Sequence, residues 1–346
     1  MVGASVSLMK ILCTGDAFIT PDAMVAALTS ELGEGHEFVT SATNWPTDPF
    51  VFNDEVREFV GDEDILVDLV PGVDLWVNHV APVTRKVLDA ADSLRLLAVP
   101  RGGPTNVNVA ALRERGVTMV NLPGRNAVAV AEYAVAVMVI GPRGIGYSTH
   151  AMRSGTWTGD LYRYDKAGRE LAGSTVGLVG LGQIGHRVAR LLRAYGTQVL
   201  AFDPYVDDDV FAESGAERIT DLAELLGGCD IVSAHARITP ETRGMFNADT
   251  FALMRPGTYF VNSARGELVD TDALVEALRS GHLSGAALDV FLPEPPPADH
   301  PLLSMPNVMA VSHLAGSSRQ VAERAARMMA AEAGRFVRGE PLVNPF

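Results

Sequence analysis

The stretch Thr175-Val176-Gly177-Leu178-Val179-Gly180-Leu181-Gly182-Gln183-Ile184-Gly185 decides the fold of this chain. Its first five residues predict a buried strand, and the amphipathic segment Ile184 to Tyr195 predicts a helix directly after it. Between the two lies the spacing G-x-G-x-x-G, in which the glycines permit a tight turn, close approach of a pyrophosphate and close packing of helix on strand. This stretch therefore predicts a dinucleotide-binding loop, formed by Gly180, Gly182, Gln183, Ile184 and Gly185.

A carboxylate follows the next predicted strand of the same region. The strand Gln198–Phe202 ends at Asp203, eighteen residues after Gly185. A carboxylate at this place accepts hydrogen bonds from the hydroxyl groups of an adenosine ribose and repels a 2′-phosphate. We therefore expect the cofactor to be NAD, with Asp203 at its ribose.

The remainder of the second half continues the alternation of strands and helices. Apolar runs predict further strands at Asp230–Ser233, Thr258–Val261, Ala286–Asp289 and Val308–Val311, and helical patterns at Leu222–Leu226, Ala248–Met254 and Thr271–Arg279 separate most of them. Short parallel strands that alternate with helices specify a doubly wound open sheet. Residues 125–316 are predicted to form an NAD-binding Rossmann domain.

The first half shows the same alternation less regularly. A strand at Lys10–Gly15 and a helix at Pro21–Leu32 precede strand-like runs at Asp64–Val67, Leu75–Asn78, Leu96–Val99 and Val117–Val120, with helices at Thr84–Asp92 and Val109–Glu114. The last helix, about Gln320–Val337, lies beyond the second sheet. The predicted fold class is α/β, with two Rossmann-like doubly wound parallel-sheet domains. Residues 1–124 plus 317–346 are expected to form the flavodoxin-like substrate-binding domain.

The composition is that of an ordinary globular protein. The 346 residues suffice for two domains, and a hydrophobic content of 47% excludes disorder as the main state. A net charge of −14 disfavours nucleic acids and anionic membranes as partners. Two cysteines in apolar runs, Cys13 and Cys229, predict buried thiols, and no metal site is predicted.

The sequence predicts neither a signal peptide nor a membrane-spanning segment. Residues 1–12 lack the charge pattern of a signal peptide, because Lys10 follows the short apolar stretch instead of preceding it. The most apolar segment, Ala127–Ile140, is interrupted by Glu132 and Tyr133 and is too short to span a bilayer. We therefore expect a cytoplasmic protein.

Three charged side chains come just after strands of the predicted cofactor sheet: Arg265, Glu294 and His313. Ligands of such sheets bind at the carboxyl edge, where these loops begin. Interconversion of an alcohol and a ketone requires a group that moves the hydroxyl proton and a cation that fixes the substrate. These three residues supply both, and Ala264 and Asp289, on the same loops, are expected to contact the cofactor.

With these residues in this order, the chain resembles the D-isomer-specific 2-hydroxyacid dehydrogenase family, which includes phosphoglycerate dehydrogenases and glyoxylate/hydroxypyruvate reductases. Besides the glycine loop, the resemblance rests on blocks that cover nearly the whole chain: Val120–Gly124, Asn126–Glu132, Thr239–Gly244, Asn262–Asp270 and His300–Leu303.

The resemblance implies an NAD-dependent oxidoreductase that interconverts a small anionic D-2-hydroxy acid and its 2-keto acid. It implies that Arg265 binds the substrate carboxylate and carbonyl, that His313 is the general acid/base, and that Glu294 hydrogen-bonds the imidazole and holds up its pKa. It also implies a homodimer, as the apolar helix 127–138 suggests, although burial between domains would explain that helix too.

The chain departs from the family in the loop after Val99. Related chains usually carry G-x-G-x-D-N-x-D there, with backbone N–H groups that face the substrate carboxylate. Here the loop begins Arg101-Gly102-Gly103-Pro104, so an arginine replaces the first glycine and the proline removes one N–H donor. Arg237 similarly stands where the family usually has proline.

Two interpretations of Arg101 and Arg237 remain open. Either they add positive charge beside an extended substrate, such as a phosphorylated or sugar acid, or they pair with nearby carboxylates. For Asn78 and His79, in the loop after the strand Leu75–Val77, two roles also remain open: contact with the substrate, or capping of the following turn. The predicted substrate-binding residues are Asn78, Arg101, Gly102, Gly103 and Arg265.

Two other functions fit the same residues. The C-terminal-binding corepressors use this scaffold as NAD-sensing interaction proteins, and phosphite dehydrogenases use the same Arg, Glu and His. Formate dehydrogenases place glutamine where this chain has Glu294. The sequence names neither the physiological substrate nor the direction of the reaction.

Overall fold

A computed structural model describes residues 8–346, which divide into two compact units. The first unit comprises the chain up to Arg125 together with Ser318–Phe346, and the second comprises Asn126–Ser317. The sequence placed these boundaries after residues 124 and 316. Residues 1–7 of the segment tested for a signal peptide lie outside the described residues.

Parallel strands form one sheet in each unit. The first sheet has the order β2-β1-β3-β4-β5 and the second β12-β11-β10-β9-β6-β7-β8. All pairs within both sheets are parallel, which confirms the predicted α/β class with two doubly wound sheets. The strands are β1 Lys10–Gly15, β2 Glu37–Ala42, β3 Leu75–Asn78, β4 Leu96–Val99, β5 Thr118–Asn121, β6 Thr175–Val179, β7 Gln198–Phe202, β8 Glu217–Arg218, β9 Ile231–Ala234, β10 Thr258–Asn262, β11 Leu283–Leu288 and β12 Val308–Ala310.

The helices connect the strands and cover both faces of each sheet. They are α1 Pro21–Leu32, α2 Glu63–Leu69, α3 Arg85–Ala90, α4 Val109–Glu114, α5 Ala127–Ile140, α6 Ile145–Arg153, α7 Gly185–Ala194, α8 Asp208–Ser214, α9 Leu222–Gly228, α10 Ala248–Leu253, α11 Thr271–Arg279, α12 Pro301–Ser304 and α13 Arg319–Arg338, with 3₁₀ turns at Gly159–Tyr162 and Gly266–Leu268.

Capping side chains explain why two helices begin where the sequence places them. Thr20 accepts a hydrogen bond from the Ala23 N–H at 3.2 Å, and Pro21 occupies the first turn of α1. Asn108 caps α4 in the same way. The predicted bounds of both helices, 21–32 and 109–114, are confirmed.

One predicted strand of the first unit is wrong. The apolar run Asp64–Val67 lies within helix α2, which the Asp62 side chain caps by accepting from the Asp64 N–H at 2.9 Å. The edge strand next to β1 is β2, and no strand was predicted there from the sequence. Its residues are exposed or half-buried, so it carries no continuous apolar run.

Helix α5 contributes to the core of the second unit. Ala131, Ala134 and Met138 pack in one cluster with residues of β6 and α7, such as Leu178 and Val188. The predicted helix is confirmed, but the side chains named here are buried within the core of their own unit, and not at the domain or subunit boundary that the sequence suggested. Among residues 8–346 no single helix is long and apolar enough to cross a membrane, and α5 and α6 reach that limit only as a pair bent by 78°.

Both cysteines are buried, as predicted. Cys13 lies in β1 and Cys229 caps the C-terminus of α9, and each is 0% exposed. Burial raises the pKa of both thiols to about 12. Both are therefore almost entirely protonated at neutral pH.

Candidate active site

The glycine loop joins β6 to α7, and two of its glycines are required by packing. Gly180 has φ 102°, and a Cβ there would lie 2.7 Å from the carbonyl carbon of His235. A Cβ on Gly185 would lie 2.2 Å from the Gly180 oxygen. The loop after β9 and the start of α7 thus approach the turn so closely that no side chain fits.

The middle glycine has a different environment. A Cβ on Gly182 would meet no atom within 4 Å, and no side chain caps the N-terminus of α7. The open space and the uncapped N–H groups are what a pyrophosphate requires at a helix N-terminus. The residues present therefore fit the phosphates of NAD.

Asp203 lies at the end of β7, beside this loop. One carboxylate oxygen accepts a hydrogen bond from the Leu181 N–H at 2.8 Å, and the other accepts from the Tyr205 N–H at 2.9 Å. Each carboxylate oxygen can accept a second bond. Asp203 can therefore hold the loop and still bind ribose hydroxyls.

The cation of the predicted constellation is presented by a shaped loop after β10. The side chain of Asn262 accepts from the Ala264 N–H at 3.0 Å and donates to the Arg265 carbonyl at 2.9 Å. The Arg265 side chain is exposed and donates to the Ala264 carbonyl at 2.7 Å. A Cβ on Gly266 would lie 2.1 Å from the Phe291 oxygen, so the loop packs directly against the loop after β11.

Glu294 and His313 are brought into direct contact. Nδ1 of His313 lies 2.9 Å from Oε2 of Glu294, while Oε1 accepts from the Phe291 N–H at 2.8 Å. The imidazole is 43% exposed and the carboxylate 27%, so the pair stands at the surface of its unit with one face open. The imidazole is therefore oriented by the protein and accessible to a ligand.

Asp289 fixes the loop that carries His313. Its buried carboxylate accepts from the N–H groups of Leu314 at 2.6 Å and Ala315 at 3.0 Å, and its carbonyl accepts from the His313 N–H at 2.9 Å. His313 has a φ of 56°, a conformation that the surrounding bonds must maintain. Asp289 acts as a positioning residue here, and its predicted contact with the cofactor stays a prediction.

The charges around His313 favour its protonated form. Burial of the ring disfavours the imidazolium, but the hydrogen bond to Glu294 and the charges of Glu294 and Asp289 outweigh it, against opposition from Arg265. The pKa of His313 consequently lies above its ordinary value. Arg265 is close enough to influence that charge, so the three predicted catalytic residues form one electrostatic group.

The residues predicted in the first unit fall into two groups. Asn78 is fully buried: its amide accepts from Thr14 Oγ1 at 2.7 Å and donates to the Ala81 carbonyl at 2.8 Å, so it caps the turn. Within residues 8–346, by contrast, the N–H groups of Gly102 and Gly103 donate to no protein acceptor. These two groups remain open to a ligand.

Arg101 forms an ion pair with Glu58 and donates to the Glu58 carbonyl at 2.8 Å. Of the two interpretations of Arg101, the structure therefore contains the pairing with a nearby carboxylate. Arg237 is exposed, and its carbonyl accepts from Thr242 Oγ1 at 2.6 Å.

Two charged residues near His79, Asp16 and Arg125, are not among the predicted site residues of the first unit. Asp16 follows β1, and Arg125 falls between two of the sequence blocks that carry the resemblance. The position of Asp16 just after a predicted strand was a usable signal, whereas nothing in the sequence distinguishes Arg125 from other surface arginines. Across the described residues, His, Cys, Asp and Glu nowhere gather in a group of three or more that could hold a metal ion.

Comparisons with known proteins agree with the geometry of the second unit. The family profile described as "D-isomer specific 2-hydroxyacid dehydrogenase, NAD binding domain" matches residues 135–315. NAD is therefore the cofactor of the family domain that contains the glycine loop.

Named relatives and solved structures extend the similarity to the whole chain. A D-3-phosphoglycerate dehydrogenase of Mycobacterium tuberculosis is 40% identical over 290 residues, which are 82% of this chain and 54% of that protein. The corresponding protein of Methanocaldococcus jannaschii is 35% identical over 291 residues, covering 84% and 53%. The chain thus spans about half the length of the curated relatives it matches. The crystal structure of the TT0316 protein from Thermus thermophilus is 30% identical, with a TM-score of 0.80 over 97% of this chain and 99% of that one.

The glycine loop allows cofactor binding to be separated from folding. Gly182→Val should change the free energy of unfolding by less than about 0.5 kcal/mol, because its side chain enters open space, yet weaken NADH binding at least roughly tenfold. Gly185→Ala should cost about 3 kcal/mol of stability, because its Cβ meets the Gly180 oxygen. Denaturant unfolding and NADH fluorescence titration measure the two effects. Equal loss of stability in both variants would contradict this division.

Proposed function

Because the chain belongs to the D-isomer specific 2-hydroxyacid dehydrogenase family, we propose that it interconverts a D-2-hydroxy acid and its 2-keto acid with NAD. The observation that carries the proposal is the 2.9 Å contact of His313 with Glu294, within the charge field of Arg265, at the carboxyl edge of the sheet that carries the glycine loop. The curated relatives, named as D-3-phosphoglycerate dehydrogenases, support a dehydrogenase activity.

The glycine loop and Asp203 would hold NAD, which would supply the hydride chemistry at C2 of the hydroxy acid. The protein's task is then to move one proton and to hold the substrate. With Nδ1–H donating to Glu294, Nε2 of His313 carries the free lone pair. We assign to Nε2 the removal of the hydroxyl proton in oxidation and the return of that proton in reduction.

The neighbouring charges support this exchange. The imidazolium formed in oxidation is stabilised by the Glu294 carboxylate, which is already in contact with the ring. The exposed guanidinium of Arg265 is suited to a bidentate contact with the substrate carboxylate. The N–H groups of Gly102 and Gly103, which donate to no acceptor among residues 8–346, are further candidates for binding an anion. Arg101 no longer supports an extended substrate, because Glu58 occupies its guanidinium.

A panel of 2-hydroxy and 2-keto acids, followed at the nicotinamide absorbance, tests the proposal. We expect NAD(H)-dependent turnover of at least one acid, and His313→Ala should lower kcat by about 10²–10⁴-fold, the usual contribution of a general acid/base. His150→Asn, which changes an exposed histidine of α6, should leave kcat unchanged. Tight NADH binding without any turnover across the panel would favour the corepressor-like interpretation, and turnover of phosphite alone the phosphite-type one.

The raised pKa of His313 gives a signed pH dependence. Reduction requires the imidazolium, so kcat/KM for the keto acid should fall as pH rises through the pKa of His313. Glu294→Gln removes the stabilising charge and should move that fall to lower pH, while oxidation, which needs neutral imidazole, should extend to lower pH. Glu276→Gln, an exposed carboxylate on α11, should move neither limb. An unshifted profile in Glu294→Gln would remove Glu294 from this role.

We also infer a homodimer, supported by exposed aromatic side chains. Helix α5 packs in the core of its own unit, so its apolar character needs no partner. Trp157, Tyr162 and Tyr164 are instead 81%, 96% and 100% exposed, and aromatic residues are enriched in protein interfaces.

Light scattering should give twice the 36.8 kDa mass of one chain. Trp157→Ser with Tyr162→Ser should shift the protein toward monomer at micromolar concentration, because aromatic anchors carry much of an interface's binding energy. Tyr205→Ser, which removes an aromatic ring that is 80% exposed elsewhere in the same unit, is the control. A monomeric wild type would disprove the dimer.

A further inference from the structure

The first unit collects a second group of charged residues at the carboxyl edge of its own sheet. Asp16 follows β1, His79 follows β3 and Arg125 lies in the loop after β5, and these strands belong to one parallel sheet. We call Asp16, His79 and Arg125 the edge cluster. None of the three takes part in the proton transfer described above.

Asp16 and His79 form the buried base of the edge cluster. Both side chains are almost fully inaccessible, and Nδ1 of His79 lies 2.5 Å from Oδ2 of Asp16. The other carboxylate oxygen accepts from the N–H groups of Phe18 at 2.8 Å and Ile19 at 3.0 Å. The imidazole is held further by the ring of Trp45, edge-on at 5.3 Å between centroids. This part of the cluster is rigid and internally satisfied.

His79 is neutral at physiological pH. Burial lowers its pKa to about 4, against the effect of the Asp16 hydrogen bond, and the charges of Arg125 and Arg101 lower it further. With Nδ1–H donating to Asp16, the lone pair of Nε2 can accept a bond, and Nη2 of Arg125 lies 3.4 Å from it. The imidazole therefore orients the guanidinium without repelling it.

Arg125 is fixed at its main chain as well. Its carbonyl accepts from Nη1 of Arg324, on α13, at 2.7 Å. Its guanidinium is partly buried, and among residues 8–346 it forms no ion pair with any carboxylate. Burial and the nearby Arg101 lower its pKa to about 10, although Asp16 opposes this. A cation held in this way, with most of its N–H donors unbonded to protein, is preorganised for a ligand.

The local charge balance favours an anion. Glu58 neutralises Arg101, and the Asp16 carboxylate is bonded to His79 and to backbone N–H groups. Among residues 8–346 no carboxylate therefore forms an ion pair with the guanidinium of Arg125, and Asp16 acts on it only through its charge. A planar guanidinium is suited to bidentate contact with carboxylate or phosphate oxygens.

We propose that Arg125, positioned by His79 and Asp16, is an oxyanion-binding site of the first unit that takes a carboxylate or a phosphate group. The site stands on residues of that unit alone. Its role in substrate choice, as the residue that binds a second anionic group of the hydroxy acid, rests on the proposed function.

Direct binding is the first test. Calorimetric titration of inorganic phosphate into protein saturated with NADH, so that the glycine loop is occupied, should show one site that Arg125→Met weakens at least tenfold. Arg125→Lys keeps the charge without the planar fork and should lose less. Arg57→Met, which removes an exposed arginine of the same unit, should leave phosphate affinity unchanged.

A structural role for Arg125 predicts different results. Because no carboxylate among residues 8–346 forms an ion pair with the guanidinium, Arg125→Met should unfold at nearly the same temperature as the wild type when no anion is present. Unchanged phosphate affinity in Arg125→Met overturns the proposal, and so does equal loss in Arg57→Met, which would mean attraction by net charge alone.

A kinetic arm distinguishes the two sources of the anion. If it is the second charged group of the substrate, Arg125→Met should raise KM for oxaloacetate at least tenfold with NADH and leave KM for pyruvate unchanged. If it is a separate ion, phosphate should alter turnover of both acids alike, and Arg125→Met should abolish that effect. Phosphate binding that depends on Arg125, with no turnover of any acid in the panel, would support the site and contradict the proposed dehydrogenase activity.

Discussion

Parallel pairing of β10, β11 and β12 determines where the proposed catalytic residues of the second unit can lie. The ladder pairs Asn262 with Leu288 and Leu288 with Ala310, so the three strands end side by side. The loops that follow have no ladder of their own, and their N–H groups must find other acceptors. Buried carboxylate and amide side chains supply them, and that of Asp289 bonds two N–H groups of the His313 loop. The position and charge of the imidazole both follow from this arrangement.

Much of this could be predicted from the sequence, because the signals are local. The capping residue Thr20, followed by Pro21, marks the start of α1 in the sequence. The glycine loop similarly specifies a turn that only glycine can adopt at Gly180. Residues just after apolar strands were sufficient to select Glu294 and His313, because parallel strands share one carboxyl edge. Their direct contact agrees with the roles that the family resemblance implies.

What the sequence could not predict depends on partners distant along the chain. The short run Asp64–Val67 is apolar enough to predict a strand. It forms a helix because Asp62 caps the N-terminus and because its side chains pack as a helix. Nothing in the sequence shows which of Arg101 and Arg125 pairs with a carboxylate. The first meets Glu58, forty-three residues earlier, and the second meets a neutral histidine. Whether an arginine is neutralised by a carboxylate is thus a property of the tertiary structure.

The two buried cysteines have a practical consequence for studying motion. Both thiols have no exposed surface and a pKa of about 12, so maleimides and mild oxidants would find almost no thiolate to attack. The natural chain is therefore a nearly silent background for labelling. One engineered surface cysteine in each unit would accept a pair of fluorophores without prior removal of Cys13 or Cys229. Energy transfer between the two dyes would then measure any change in the distance between the labelled positions when NAD is added.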